Sequence, residues 1–232
     1  MTRQGLPVWA GLLLGVCVPL TCPLLFCLLN LLTSNCNMDA GFRPVIVISD
    51  SICRRLPRLR GADVVAYPGL NIARIHAMIR SGRLERECHL SRRVLLVLHL
   101  GTNNVEHHLR RGDSHHHLAD ALLALMARLQ RLSPDLEVIF SGILPRLRDH
   151  ASTGSFVRAV NRRMDFDPEF ACWDGSSLFL QSGSPVPVLY HDGLHLSSEG
   201  LARLHQYFSA RLRMCPQRMS SPAYGTVRVR RL

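Results

Sequence analysis

Residues 94–104 read VLLVLHLGTNN, a run of aliphatic side chains followed directly by a polar turn that contains glycine. A short apolar run bounded by a turn is typical of a strand that is buried on both faces, as in a parallel sheet. The same pattern predicts further strands at 45–48 (VIVI), 62–66 (ADVVA) and 136–140 (LEVIF), with a weaker fifth strand near 170–173.

Segments with helical periodicity separate these strands. Apolar residues recur at helical spacing over 70–79 and 117–132, and a final helix is predicted to begin at Ser197 or Ser198 and to end near Leu212. A serine hydroxyl is a common N-cap, which supports that starting point. Strands alternating with helices indicate β-α units around a parallel sheet.

The composition fits one domain with flanking segments. Of the 232 residues, 47% are hydrophobic and 19% are charged, which excludes a disordered or collagen-like chain. We divide the chain into an N-terminal flank (1–5), an apolar segment (6–32), a linker (33–42), the α/β domain (43–213) and a basic tail (214–232).

The apolar segment 6–32 contains no charged residue and is long enough to cross a bilayer as a helix. A single-pass membrane anchor is therefore our first interpretation. A cleaved secretory signal is the second, and a segment without an insertion function is the third. We expect a membrane-associated or secretory-pathway protein, with its orientation unassigned because Arg3 and Arg43 lie on opposite sides of the segment.

The charge balance raises the question of a nucleic-acid partner. The formal net charge is +11, and all 28 basic residues are arginine. Clustered cations favour polyanions, but these arginines are scattered over most of the chain, as a GC-rich reading frame would also produce. A non-catalytic domain that binds RNA or another polyanion is therefore one hypothesis for this chain.

Four polar turns follow the predicted strands or precede the last helix. Ligands of parallel α/β sheets bind outside the carboxyl ends of the strands, so these turns are the candidate site. They are 49–51 (SDS), 67–71 (YPGLN), 101–104 (GTNN) and 191–197 (HDGLHLS).

These turns contain the groups that nucleophilic acyl transfer requires. Ser51 is the candidate nucleophile, His195 the base and Asp192 the carboxylate that orients it, with His191 as a competing base. Ser51 could instead serve only as a helix N-cap. Oxyanion donors would be the backbone N–H groups of Ser51 and Gly69 and the side-chain amide of Asn103.

The four turns, in this order, resemble the four blocks of the SGNH, or GDSL-type, hydrolase family. The similarity covers about residues 43–212, and the stretches LHLGTNN, SGILPR and HDGLHLSSEG look most like the esterase-like domains of vertebrate retroelements. Two positions depart from the family pattern: Ser49 stands where glycine is usual, and Asn104 where aspartate is frequent.

The resemblance implies a three-layer α/β/α sandwich with a mostly parallel, roughly five-stranded sheet, similar to flavodoxin. It implies an esterase that acts on an ester substrate through an acyl-serine intermediate, with no cofactor. A metal site is not predicted, because the histidine tract at 115–117 lacks acidic or cysteine ligands at a suitable spacing. The acyl group and the oligomeric state are not assigned.

Overall fold

The computed structural model describes residues 43–90, 93–215 and 225–231. The apolar segment 6–32 and the linker 33–42 lie outside these ranges, so the membrane anchor and the alternatives to it stay predictions. Within the described ranges, no helix combines the length and the apolar character needed to cross a membrane.

A parallel sheet forms the centre of the domain. The described strands are β1 (Val45–Ser49), β2 (Ala62–Ala66), β3 (Val94–His99), β4 (Leu136–Ser141), β5 (Ala171–Trp173), β6 (Leu180–Gln181), β7 (Ser184–Pro185) and β8 (Val227–Val229). The strand order of the sheet is β5-β4-β3-β1-β2-β8, and every neighbouring pair is parallel. A separate hairpin pairs β6 with β7 in antiparallel fashion.

Helices cover both faces of this sheet. The α-helices are α1 (Ile72–Arg80), α2 (Arg83–Cys88), α3 (Thr102–Arg110), α4 (His115–Gln130), α5 (His150–Asp165) and α6 (Ser198–Met214). Short 3-10 helices occupy Ser51–Arg55, Ser176–Phe179 and Pro187–Leu189. As predicted, the last helix is capped by Ser197, whose side chain accepts from the N–H of Gly200.

Alternation along the strands divides the core into two clusters. In β1, Ile46 and Ile48 pack on one face with α1, α2, α4 and α5. Val45 and Val47 point to the other face and pack with α6 and the 3-10 helices. Successive strand residues point to opposite faces, so a fully apolar strand supplies both clusters at once. The predicted three-layer α/β/α sandwich is confirmed.

The C-terminal segment corrects one prediction. Residues 214–232 are predicted to be a basic tail outside the α/β domain, but Val227–Val229 pair in parallel with β2 as a sixth strand. Asp63 fixes the start of this strand, because its Oδ1 accepts from the backbone N–H of Thr226 at 2.6 Å and from its hydroxyl at 2.8 Å. Gly225 passes so close to the Ala62 carbonyl oxygen that a Cβ would lie 1.7 Å from it. In the described ranges the sheet therefore has six strands, one more than the roughly five that were predicted.

Candidate active site

Three of the four predicted turns leave the sheet at the same edge. Strands β1, β2 and β3 are adjacent and parallel, and they end at Ser49, Ala66 and His99. The N–H of Tyr67 donates to the Ser49 carbonyl at 2.8 Å, which joins the first two turns. The carboxyl end of the sheet is thus where the predicted site residues begin to converge.

The turn after β1 leaves the Ser51 hydroxyl available. The N-cap of the following 3-10 helix is Asp50, whose Oδ1 accepts from the N–H of Ile52 at 2.9 Å. Ser51 is the first residue of that helix, so the interpretation of Ser51 as an N-cap is wrong. Because Asp50 does the capping, the Ser51 side chain can make another hydrogen bond.

That hydrogen bond joins Ser51 to His195. The distance from Ser51 Oγ to His195 Nε2 is 3.0 Å, and His195 Nδ1 lies 2.7 Å from Asp192 Oδ2. An ionised carboxylate can only accept, so in the neutral ring Nδ1 carries the proton and Nε2 accepts from the serine hydroxyl. The three predicted triad residues meet in the order that their proposed roles require.

Asp192 is held by its own turn. Its Oδ1 accepts from the backbone N–H of Leu194 at 3.0 Å and of His195 at 2.7 Å. Hydrogen bonds from the His195 ring and then from the His195 backbone hold the pKa of the Asp192 carboxyl well below its usual range. Asp192 is therefore an ionised, fixed acceptor, although the side chains of His195 and Asp192 are 42% and 48% exposed.

The turn after β2 meets the turn after β3 through Asn103. Tyr67–Leu70 is a tight turn, in which the N–H of Leu70 donates to the Tyr67 carbonyl at 2.9 Å and Gly69 has φ +74°. Asn103 Nδ2 donates to the Leu70 carbonyl at 2.9 Å and lies 3.5 Å from Asp50 Oδ2. Both predicted oxyanion residues thus belong to one cluster beside Ser51, and their role as donors stays a prediction.

The two departures from the family pattern have different surroundings. Asn104 is buried, and its Oδ1 accepts from the N–H of Ile72 at 3.3 Å, so it ties the turn after β3 to the start of α1. Ser49 is fully buried, and its Oγ has no hydrogen-bond partner among the described residues. An amide at position 104 therefore supports the turns without occupying the site.

Arg146 supports this edge of the sheet and was not assigned a role from the sequence. Its side chain is 2% exposed, and its guanidinium donates to the Thr102 carbonyl at 2.8 Å and to both Asp149 oxygens at 2.9 and 2.6 Å. The bidentate pair with Asp149 fixes the guanidinium, and its third hydrogen bond holds Thr102, the residue that precedes Asn103. Its position in SGILPR, shortly after β4 ends at this same edge, is the signal that could have identified it.

The buried carboxyl of Asp50 has an altered acidity. Desolvation by burial raises its pKa from 3.8 to about 6, although the hydrogen bond from Ile52 and the charge of His195 act in the opposite direction. Between these two values the unfolded chain ionises while the folded protein stays protonated. Stability is therefore lost as the pH rises from about 4 to 6, and the cost remains at higher pH.

We expect Asp50→Asn to stabilise the protein relative to wild type more at pH 8 than at pH 4, because asparagine keeps the capping oxygen and removes the charge. The difference between the two pH values should be of the order of 1–3 kcal/mol in urea unfolding. Asp135→Asn, at an exposed position, is the control for the lost charge. Equal pH differences in the two variants would contradict this explanation.

The triad opens into a cleft of about 220 Å³. Besides the triad, the cleft is lined by Ile52, Arg54, Arg55, His191, Leu196 and Leu201. Within the described ranges, no three His, Cys, Asp or Glu side chains are grouped as metal ligands would be, and the tract at His115–His117 is part of α4. The described site thus consists of a hydroxyl, an imidazole, a carboxylate and hydrogen-bond donors.

Comparison with known proteins identifies the fold. No protein-family model matches the sequence, and neither does any curated protein. A Streptococcus pneumoniae protein provisionally described as a platelet activating factor is similar at 16% identity and TM-score 0.58, over 76% of this chain and 86% of its own. A GDSL-like lipase from Bacteroides thetaiotaomicron is 14% identical with TM-score 0.56, over 74% of this chain and 88% of its own.

A third similar structure is the esterase domain of the ORF1 protein from the zebrafish ZfL2-1 retrotransposon. It is 26% identical, with TM-score 0.39, over 74% of this chain and 99% of its own. We assign the fold from the first two structures, which superpose more closely. At their identities the comparison establishes the fold, and the reaction has to be argued from the site.

Proposed function

We propose that this chain, which has the fold of the SGNH or GDSL-type hydrolases, is a serine esterase that works through an acyl-serine intermediate. The observation that supports this most strongly is the hydrogen-bonded series Ser51, His195, Asp192, with distances of 3.0 and 2.7 Å. A serine hydroxyl needs such a base to become a nucleophile, and the base needs a carboxylate to fix its orientation.

In the acylation step, Ser51 Oγ attacks the ester carbonyl carbon while His195 Nε2 takes the hydroxyl proton. Asp192 stabilises the resulting imidazolium through the hydrogen bond at Nδ1. The carbonyl oxygen becomes an oxyanion that would accept from the N–H groups of Ser51 and Gly69 and from Asn103 Nδ2. The carbon–oxygen bond to the alcohol then breaks, and His195 protonates the departing alkoxide.

Deacylation repeats these roles with water as the nucleophile. His195 Nε2 removes a proton from water, the hydroxide adds to the acyl carbonyl, and Ser51 Oγ leaves with the proton from His195. The carboxylic acid is released, and the free serine is restored. Apart from the ester and water, every group that takes part in these steps belongs to the chain.

The alternative, a domain that has lost catalysis and binds RNA, is less well supported. A domain that no longer catalyses does not need Ser51, His195 and Asp192 within hydrogen-bond distance of one another. In this chain, however, His195 is hydrogen bonded to both of the other residues. The net charge of +11 is compatible with either function, so salt-dependent retention on RNA would have to be tested separately.

Covalent labelling by a fluorophosphonate tests the esterase proposal. We expect stoichiometric labelling of wild type at Ser51, no labelling of Ser51→Ala, and cleavage of 4-nitrophenyl esters by wild type alone, because only an activated serine reacts with the phosphorus centre. Ser197→Ala, at a serine that caps α6 outside the triad, is the matched control and should still be labelled. Wild type that stays unlabelled and inactive on short-chain aryl esters would refute the proposal.

A further inference from the structure

An arginine cleft lies beside the triad cleft at the same edge of the sheet. It has a volume of about 400 Å³ and is lined by Arg54, Pro68, Arg74, Val229, Arg230 and Arg231. Arg54 lines the triad cleft as well. The two clefts are therefore neighbours that share one arginine.

The sheet topology explains why these arginines lie there. Strand β8 is parallel to β2, and the N–H of Arg230 donates to the Ala66 carbonyl at 2.9 Å. Arg230 and Arg231 thus follow the carboxyl end of β8, as Ser51 follows that of β1. With neighbouring strands about 4.8 Å apart, β8 lies roughly 10 Å from β1, within reach of extended arginine side chains.

The second turn connects the arginine cleft to the proposed oxyanion donors. Arg74 Nη1 donates to the Gly69 carbonyl at 3.0 Å, which holds its guanidinium over the turn whose Pro68 lines the cleft. Gly69 supplies one of the proposed oxyanion N–H groups. The cationic surface therefore begins where the carbonyl oxygen of an ester would be held.

The described part of the chain provides no ion-pair partner for these guanidinium groups. Among the described residues, no carboxylate lies within 4.0 Å of a guanidinium nitrogen of the four arginines. Glu87 lies near Arg230, but it accepts from the Tyr67 hydroxyl at 2.6 Å and from Arg83 Nε at 2.9 Å. Four arginines around one cleft without an acidic partner provide charge and fork geometry suited to a carboxylate or a phosphate.

We propose that the arginine cleft is an anion-binding subsite for the acyl part of the substrate, so that the enzyme prefers esters whose acyl group ends in a carboxylate or phosphate. This inference rests on the proposed esterase function. The alcohol departs where His195 can protonate it, and the arginine cleft contains no residue of the 191–195 segment. An anion in this cleft therefore belongs to the acyl side of the ester bond.

Matched esters test the proposal. 4-Nitrophenyl hydrogen adipate and 4-nitrophenyl hexanoate have equal chain lengths and differ by one terminal carboxylate. We expect wild type to prefer the adipate in kcat/KM by about tenfold, with a preference that declines as salt is added. Arg230→Gln/Arg231→Gln should reduce the adipate-to-hexanoate ratio to near one. Arg158→Gln/Arg162→Gln, two exposed arginines of α5, remove the same charge and should leave the ratio as in wild type.

A binding measurement separates this inference from the esterase proposal. Titration of Ser51→Ala protein with inorganic phosphate should show binding that weakens by about tenfold when Arg230 and Arg231 are also replaced by glutamine. Such binding, together with a wild-type protein that hydrolyses no ester, would keep the anion-binding cleft and overturn the esterase. Hydrolysis of the hexanoate, with no adipate preference and no phosphate binding affected by the arginines, would overturn the subsite alone. A preference for an anionic leaving group, 4-carboxyphenyl over phenyl acetate, would overturn its assignment to the acyl side.

Discussion

Replacement of His195 by alanine is expected to lower kcat/KM for ester hydrolysis by about 10⁴-fold or more, because it removes the only group within hydrogen-bond distance of Ser51 Oγ among the described residues. The Ser51 proton would then have no acceptor during attack, and the leaving alkoxide no donor. Initial rates of 4-nitrophenyl ester hydrolysis, at substrate concentrations well below KM, measure this loss. Circular dichroism checks that the variant is folded.

His191→Ala is the matched control for this result. His191 was the competing base in the sequence, and it lies only four residues away. Its backbone N–H donates to the His195 carbonyl at 2.8 Å, which alanine preserves, and its ring has no hydrogen-bond partner among the described residues. We expect a change smaller than about tenfold. A large loss in His191→Ala with little loss in His195→Ala would reverse the assignment of the base.

Arg146→Met should cause the largest loss of stability among substitutions near the site. Methionine keeps the length of the side chain but leaves the Asp149 carboxylate and the Thr102 carbonyl without their donor. Breaking a buried ion pair from one side costs about 3–5 kcal/mol, reduced here to about 2–4 kcal/mol because Asp149 is 29% exposed and can be hydrated. Thermal unfolding should shift downward by roughly 10 °C.

The neighbouring arginine supplies the comparison for this prediction. Arg148 also approaches acidic groups, at 3.3 Å from Glu106 and 3.9 Å from Asp149, but its side chain is 45% exposed. An exposed pair contributes little, so Arg148→Met should cost less than about 1 kcal/mol. Equal losses for the two variants would show that burial of Arg146 is not what makes its ion pair important.

The strands and the turns that contain the candidate site residues were predictable because each of them is encoded locally. A strand buried on two faces needs an unbroken aliphatic run, and VIVI and VLLVLHL meet that need within a few residues. Parallel topology then brings the following turns to one edge, so Ser51 and Asn103 are placed by their position after a strand. The spacing of Asp192 and His195 lies within one turn, where geometry is short range.

Elements that depend on distant contacts were not predictable in this way. The apolar positions of α5 are interrupted by the buried Thr153, Gly154 and Asn161, which pack against elements distant in the sequence, as the hydrogen bond from Ile143 N–H to Asn161 Oδ1 at 2.9 Å shows. Strand β8 is two valines around an arginine, and it becomes a strand only because β2 presents an unpaired edge. The role of Arg146 likewise depends on Thr102, 44 residues away.

The pairing of β8 with β2 also bears on how the chain folds during synthesis. Thr226 and Asp63 are 163 residues apart, so β2 is made long before the strand that covers it. A nascent chain carrying β1 to β5 would present the N–H and C=O groups of β2 to solvent, and an open edge of this kind can pair with another chain. Ribosome-bound intermediates should therefore be more prone to self-association than the folded domain, because pairing of β8 replaces the five-residue edge of β2 with a three-residue edge strand that contains Arg228.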